Sequence, residues 1–258
     1  MTPLIGCADP ASHDGCASAR QAAKSRRRPV LESLADAKVR LAVGAAGMVI
    51  TAAAVRGRRV GHCEAAVFRA INDLPDSLYV PAWVVMQLGA LGAAPVTAGG
   101  AWVARDRALS GRLLAGGVAT WALSKVVKQL VRRPRPAMLI PGARRRGPDA
   151  AGLGYLSGHA GVAVALGAAA LPRLGAAERA VILGIAPIVG LSRVYVGAHL
   201  PLDIAGGAAL GLAVEAAVAM LTAGDHAAGE PAESRGVGCA SGDHARTPEL
   251  LIRFTPHK

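Results

Sequence analysis

Six apolar segments, separated by short polar stretches, are the feature that most constrains the fold of this 258-residue chain. They cover residues 39–56, 78–104, 112–131, 158–173, 178–197 and 201–223. A helix needs about 20 residues to cross the roughly 30 Å hydrocarbon layer of a bilayer, and the segments reach that length only when charged residues at their ends are included. The pattern predicts an all-α fold, an integral membrane bundle of six transmembrane helices.

The composition fits a membrane protein better than a nucleic-acid-binding protein. Hydrophobic residues make up 52% of the chain and charged residues 18%, a balance typical of helical membrane proteins. The net charge of +12 is strongly basic, but only 3% of the residues are aromatic and the Lys and Arg residues cluster at the ends of apolar segments. We therefore expect anionic lipid headgroups as partners, and no nucleic acid.

Hydropathy and charge divide the chain into three regions. Residues 1–36 are predicted to be a disordered basic tail, 37–224 a six-helix membrane domain, and 225–258 a polar tail that is also disordered. Six spans place both termini on one side, and seven Lys or Arg residues between positions 20 and 40 predict that this side is cytoplasmic. We expect a multi-pass protein of the cell inner (plasma) membrane, with residues 60–76 forming a short interfacial helix on the outer side.

Three charged clusters interrupt the apolar pattern. They are Lys128 to Pro136, Ser157 to His159, and Ser192 to Asp203. Because consecutive spanning helices alternate in direction, the ends of the third and fifth segments and the starts of the fourth and sixth must lie at one face. The clusters are therefore predicted to meet at the extracytoplasmic face. Charged groups near lipid are energetically costly, so a function is expected for them.

The cations of these clusters predict a site for an anion. Lys128, Arg135 and Arg193 are three positive groups, and a guanidinium pairs well with the oxygens of a phosphate. Ser157 and Gly158 stand at the start of the fourth helix, where unpaired backbone N–H groups also attract anions. The sequence therefore predicts that these five residues bind a phosphate group.

Two histidines and a carboxylate add the residues needed for catalysis. His199 lies four residues before Asp203, a spacing that brings both to one side of a helical turn, so the carboxylate can hold one ring nitrogen protonated. The other nitrogen is then free to attack phosphorus and form a phosphohistidine. His159 is predicted to protonate the leaving oxygen and then to activate water. This chemistry requires no metal or other cofactor.

The clusters resemble the three-part signature of the type 2 phosphatidic acid phosphatase (PAP2) superfamily. That family includes bacterial membrane lipid phosphatases and, as soluble relatives, vanadium haloperoxidases. The matching residues are Lys128, Arg135 and Pro136, then Ser157, Gly158 and His159, then Ser192, Arg193, His199 and Asp203. The resemblance implies the same residue roles, a six-helix core, an extracytoplasmic site and no metal. One position departs from the signature, because Leu156 stands where the family usually has a proline, which would stiffen the entry to the helix.

Together these observations predict a membrane-embedded phosphatase acting on a lipid phosphate or diphosphate. Polyprenyl diphosphate, phosphatidic acid and phosphatidylglycerol phosphate are the substrates that the resemblance implies, and the sequence does not choose among them. Two alternatives stay open: a phosphotransferase that passes the phosphoryl group to an acceptor other than water, and a non-catalytic membrane protein that only binds lipid phosphate. A haloperoxidase is disfavoured because those relatives are soluble. The sequence leaves the oligomeric state open.

Several charged residues fall outside the signature. Arg132 and Arg133 are expected to be interfacial anchors, or to contact a second phosphate. Lys125 lies one turn before the first cluster, and whether it lines the same pocket stays open. The run Arg144–Arg146 is expected to cap the pocket, attract anionic headgroups or be solvated. Glu215 lies in the middle of the sixth segment without an assigned role, although a polar partner or a cavity is expected for it.

Overall fold

The protein is helical in all the regular structure that can be described. The computed structural model describes residues 36–57, 59–147 and 152–228, so nearly all of the two predicted tails lies outside the described residues. The all-α prediction is confirmed for the described ranges. The helices are α1 Asp36–Val55, α2 His62–Asn72, α3 Tyr79–Met86, α4 Ala93–Val103, α5 Arg107–Val131, α6 Pro136–Leu139, α7 Gly158–Ala170, α8 Ala176–Tyr195 and α9 Pro201–Ala228.

The second apolar segment forms two helices instead of the predicted single span. α3 and α4 meet at a 3-10 turn, Gln87–Gly89, and the chain bends there by 64°. The turn packs against the start of α7, where a Cβ on Gly89 would collide with the carbonyl oxygen of His159. Glycine at this position therefore lets the bend approach the backbone of α7 closely.

Two helices, α1 and α9, are long and apolar enough to cross a membrane, and the bent pair of α3 and α4 would be a third. α7 has only 13 residues, while α5 and α8 are long enough but carry several charged residues. Large apolar side chains cover the outer surface of the helices, including Val49, Val103 and Leu130, which are 70%, 82% and 76% exposed. The six-span count thus remains a prediction.

The turn after α5 determines which of the two arginines that follow the helix, Arg132 or Arg133, is buried. α5 begins at the N-cap Asp106, whose side chain accepts a hydrogen bond from Leu109 N at 2.9 Å, and it ends at Val131. Arg132 follows in the left-handed conformation with φ of 50°, and Pro136 takes the first position of α6. This reversal leaves Arg132 exposed and turns the next residue, Arg133, into the protein.

The predicted interfacial helix is present as α2, but it packs into the protein. Phe68 is fully buried and shares a cluster with Ile140, Val194 and Leu200. Burial of an aromatic ring of this size dominates the energetics of such a contact. α2 is therefore part of the wall around the charged clusters, and its position at the membrane interface stays a prediction.

α7 and α9 cross at very short range, at glycines of α9. A Cβ on Gly207 would collide with the carbonyl oxygen of Ser157, and a Cβ on Gly211 with that of Gly161. Small residues at such crossings let two backbones approach closely. The crossing brings the start of α9 against the start of α7.

Replacing Gly211 by alanine is expected to lower the free energy of unfolding by about 1–3 kcal/mol, because the added methyl group must push α7 away from α9. Gly184→Ala is the matched control, since Gly184 lies inside α8 with open space where its Cβ would stand. Thermal unfolding in detergent measures both changes. Equal melting temperatures for the two variants would contradict the close crossing.

Candidate active site

The three charged clusters meet at one end of the helix bundle, as the alternation of helix direction predicts. Ser157 N donates to the carbonyl oxygen of Asp203 at 2.9 Å, joining the starts of α7 and α9. Lys128, near the end of α5, donates from Nζ to the carbonyl oxygen of Leu156 at 2.6 Å. Arg135 Nη1 donates to the carbonyl oxygen of Ala198 at 2.8 Å.

The three predicted phosphate-binding cations lie close enough to repel one another. The charges of Arg135 and Arg193 both act on Lys128, and that of Arg135 acts on Arg193. Burial lowers the pKa of Arg135, the charge of Asp203 opposes this, and the charge of Arg145 adds to the lowering. Such a group of partly desolvated cations favours an anion between them.

A cavity of about 400 Å³ opens beside two of these cations, Lys128 and Arg135. Lys125 lines it together with Lys128 and Arg135, and the remaining lining residues carry no charge. The Lys125 ammonium also lies 5.0 Å from the centre of the Trp121 ring. Lys125 therefore lines the same cavity as two of the predicted phosphate ligands, Lys128 and Arg135.

Ser157 and Gly158 stand at the N-terminus of α7, as predicted. The buried Ser157 is the N-cap, and its Oγ accepts a hydrogen bond from Ala160 N at 3.4 Å. A Cβ on Gly158 would lie 3.0 Å from Ser124 Oγ, so the missing side chain also lets α7 pack against α5. His159 follows, half-buried, where the charges of Arg193, Lys128 and Lys125 all act on its ring.

His199 is held by a backbone carbonyl as well as by the predicted carboxylate. Its Nδ1 lies 2.8 Å from the carbonyl oxygen of Gly154 and 3.8 Å from Asp203 Oδ2. A carbonyl only accepts hydrogen bonds, so Nδ1 carries the proton and Nε2 keeps a free lone pair. The Gly154 carbonyl therefore takes the shorter of the two contacts to Nδ1, the contact that the sequence assigned to Asp203.

Burial of His199 opposes its protonation. The side chain is 3% exposed, and burial lowers its pKa from 6.5 to about 3, although the hydrogen bond and charge of Asp203 act in the opposite direction. The charges of Lys128 and Arg193 lower the pKa further. His199 is therefore neutral near pH 7, the form in which Nε2 acts as a nucleophile.

We expect the His199 ring to remain neutral between about pH 8 and pH 5, a range in which an exposed histidine takes up a proton. Nitrogen-15 NMR of histidine-labelled protein measures this, with His199→Gln identifying the resonance. A short histidine-containing peptide in the same buffer provides the comparison. A titration midpoint of His199 near that of an exposed histidine would contradict the buried, neutral ring.

Arg133 is neither an interfacial anchor nor exposed to a second phosphate, which corrects both expectations for it. Its side chain is fully buried between two carboxylates, with Nη1 donating to Asp203 Oδ1 at 2.8 Å and Nη2 to Glu64 Oε2 at 2.7 Å. Burial disfavours its charge, but the hydrogen bonds of Glu64 and the charge of Asp203 outweigh this and raise the pKa of Arg133. No motif marks Glu64 in the sequence, whereas Pro134 and Pro136, which cannot continue a helix, are a local sign that the chain turns at Arg133.

The arginine run Arg144–Arg146 is not uniformly solvated. Arg146 donates to the carbonyl oxygens of Asn72 and Tyr195, each at 2.8 Å, and its guanidinium lies 4.3 Å from the centre of the Tyr195 ring. It therefore fastens the loop before α7 to the ends of α2 and α8. Arg144 is half exposed, and the charge of Arg145 reaches Arg135 at the site.

The motifs and the helical fold of this chain are both similar to those of known proteins. Residues 110–225 match the family model of the PAP2 superfamily, which confirms the resemblance indicated by the motifs. Two solved membrane-protein structures share the fold, and no curated protein matches the chain. LpxE of Aquifex aeolicus is 22% identical over 59% of this chain and 92% of its own, with a TM-score of 0.55. A transmembrane PAP2-type phosphatidylglycerolphosphate phosphatase of Bacillus subtilis is 21% identical over 74% of this chain and 98% of its own, with a TM-score of 0.57.

Proposed function

We propose that the protein is a membrane phosphatase that hydrolyses a lipid phosphate or diphosphate through a phosphohistidine intermediate and without a metal ion. The observation that carries the proposal is the geometry at His199: Nδ1 lies 2.8 Å from the carbonyl oxygen of Gly154, which leaves the Nε2 lone pair available, and the charges of Lys128 and Arg193 act on the ring. A site that only bound phosphate would need the cations but neither His199 nor His159.

The first half of the reaction transfers the phosphoryl group to the protein. The lone pair on His199 Nε2 forms a bond to phosphorus while the bond from phosphorus to the lipid oxygen breaks. That oxygen takes a proton from His159. Lys128, Arg135 and Arg193, with the N–H groups at the start of α7, stabilise the charge on the equatorial oxygens.

The second half returns the protein to its starting state. His159 takes a proton from a water molecule, whose oxygen forms a bond to phosphorus as the bond to Nε2 breaks. Inorganic phosphate leaves, and the lone pair returns to Nε2. Asp203 supplies negative charge beside Nδ1, which stabilises the positive charge that the ring carries while Nε2 is bonded to phosphorus.

We place this site at the extracytoplasmic face of the cell inner membrane, with six spans and both termini in the cytoplasm. Residues 37–224 form the catalytic domain, and the tails 1–36 and 225–258 lie outside it. Support comes from the apolar outer surface of the helices and from the basic residues that precede α1. The lipid enters sideways from the bilayer, so its chain stays in hydrocarbon while its phosphate reaches the cations.

The substrates considered remain polyprenyl diphosphate, phosphatidic acid and phosphatidylglycerol phosphate. Lys125 is expected to favour the diphosphate over the two monophosphates. Its charge acts on His159, the acid that protonates the leaving group, so it lies on the side of the site where the leaving group departs. The leaving group of a diphosphate is itself a phosphate, and a cation beside it stabilises the departing charge.

Lys125→Gln is expected to lower kcat/KM for a diphosphate lipid up to about fivefold more than kcat/KM for a monophosphate lipid, the upper value for an exposed pair of opposite charges. The ratio of the two kcat/KM values measures this effect. Lys38→Gln is the matched control, since Lys38 is exposed on α1. An unchanged ratio would remove Lys125 from substrate selection.

Phosphate release by the purified full chain in detergent, with the three lipid classes and a chelator present, tests the proposed function. We expect release from at least one lipid, unaffected by the chelator, and a labelled protein that is stable to alkali and labile to acid, as a phosphohistidine is. Loss of activity on chelation would contradict the metal-free mechanism. Transfer of the label to an added alcohol in preference to water would favour the phosphotransferase, and binding without release would favour the non-catalytic alternative.

A further inference from the structure

A buried chain of charges runs from Asp203, beside His199, through Arg133 to Glu64, and the last two residues take no part in the proposed reaction steps. Arg133 and Asp203 are each 0% exposed at the side chain, and Glu64 is 7% exposed. We infer that Arg133 and Glu64 are positioning residues, which fix Asp203 beside His199. The inference rests on the function proposed above.

Arg133 is not a ligand of the phosphate. Both of its terminal nitrogens donate to carboxylates, because Nη1 contacts Asp203 and Glu64, and Nη2 contacts Glu64. The two carboxylates that flank it would repel a phosphate brought to the same place. Arg133 therefore acts on the reaction only through the groups that it holds.

The contacts leave the Asp203 carboxylate little freedom to move. Oδ1 accepts from Arg133 Nη1 and Oδ2 accepts from Leu200 N, each at 2.8 Å. Hydrogen bonds between charged groups are stronger than neutral ones, and they favour the ionised carboxylate. Asp203 is thus held as an anion 3.8 Å from His199 Nδ1.

Glu64 completes the chain of charges from α2. Its two oxygens hold the far side of the Arg133 guanidinium, and Oε1 also accepts from Leu202 N, at the start of α9, at 3.1 Å. Two carboxylates and one guanidinium leave the group with one net negative charge. That charge favours the positive ring that His199 forms when Nε2 bonds to phosphorus.

The backbone of Arg133 supports the second acceptor of the same ring. Its carbonyl oxygen accepts from Gly154 N at 2.7 Å, and the Gly154 carbonyl in turn accepts from His199 Nδ1. Substitution of the side chain leaves this backbone contact available. A side-chain variant at position 133 therefore tests the support that reaches His199 through Asp203, and not the support that reaches it through the Gly154 carbonyl.

Steady-state kinetics of Arg133→Met separates positioning from substrate binding. We expect kcat to fall about 100-fold, the effect of a misplaced catalytic group, while KM changes by less than about threefold. Arg133→Lys keeps the positive charge but lacks the two guanidinium nitrogens that bind both carboxylates, so its kcat should fall less than that of Arg133→Met. Arg132→Met is the matched control, since the neighbouring Arg132 is exposed and should leave kcat unchanged. A rise in KM with an unchanged kcat would overturn the inference, because Arg133 would then bind substrate.

A double-mutant comparison tests whether Arg133 acts through Asp203. In an Asp203→Asn background the further change Arg133→Met should cost little, because the carboxylate that Arg133 holds is already gone. An undiminished cost in that background would overturn the inference. If Arg133→Met does not fold, the variant Glu64→Gln/Arg133→Gln keeps the net charge of the group, and the same kcat loss is expected for it.

Vanadate binding keeps the inference testable if the wild-type protein releases no phosphate from any lipid. Vanadate can bond to a histidine nitrogen as phosphorus does in the transition state, whereas inorganic phosphate is expected to contact the cations and the N–H groups at the start of α7 without a bond to histidine. In a calorimetric titration, Arg133→Met should weaken vanadate binding about tenfold or more and leave phosphate binding unchanged. Equal effects on the two anions would overturn the inference without bearing on the hydrolysis of lipids.

Discussion

Replacing His199 by alanine is expected to reduce phosphate release from every lipid substrate by about 10³-fold or more, since removal of a nucleophile leaves only the contribution of substrate binding. The label that forms on the wild-type protein should be absent from the variant. Measurement needs labelled substrate, rapid quenching in alkali and counting of the protein-bound fraction. The lipid itself should still bind, because the three cations are untouched.

Two controls separate this chemical loss from a loss of structure. His62→Ala makes the same change at an exposed position of α2 and should retain full activity. His199→Asn keeps a side chain able to donate to the Gly154 carbonyl and should be as inactive as His199→Ala while melting at nearly the wild-type temperature. Substantial phosphate release by either His199 variant would contradict a phosphohistidine at this position.

Glu215→Leu is expected to destabilise the protein by up to about 3–5 kcal/mol, the value for a fully buried pair, because it leaves two partly buried arginines without this counterion. Glu215 is 1% exposed in α9 and pairs with Arg112 of α5, and Arg40 Nε of α1 lies 3.4 Å from its Oε2. The expected polar partner of Glu215 is therefore found in two arginines from two other helices. Thermal or denaturant unfolding in detergent measures the loss.

A charge-balanced variant shows whether this cost comes from the unpaired charge. Arg112→Leu/Glu215→Leu removes both partners and should recover most of the stability lost in the single variant, because well-packed apolar residues often replace a buried ion pair without loss. Arg40 keeps its contact with Asp36 at 2.5 Å in that variant. Equal instability of the single and double variants would mean that the packing of the Glu215 side chain, and not its charge, stabilises the contact between α1, α5 and α9.

Much of the site could be predicted because it depends on helix direction and on residue spacing. The end of α5, the starts of α7 and α9, and the end of α8 had to meet once the apolar segments were taken as alternating helices. The four-residue spacing from His199 to Asp203 placed both residues on one turn. The spacing of two residues and the alternation of helix direction can both be inferred from the sequence without knowing how the helices pack.

The partners of Asp203 and His199 could not be predicted in the same way. Glu64 and Arg133 are far apart in the chain, and their pairing depends on how α2 packs against the bundle. The Gly154 carbonyl belongs to the backbone, which every residue carries, so no residue type marks it. The bend between α3 and α4 also escaped prediction, because hydropathy averages over a segment whether it is straight or broken.

Ion pairs anchor α9 at two depths. Asp203 is bound through Arg133 near its start, and Glu215 through Arg112 about 18 Å further along, at 1.5 Å per residue. Sliding of α9 along its axis or rotation about it would separate both pairs at once and leave Asp203, Arg133 and Glu215 as unpaired buried charges. α9 is therefore held in place along its length, and under the proposed function we expect a lipid to enter by displacement of a neighbouring element and not by movement of α9 along its axis.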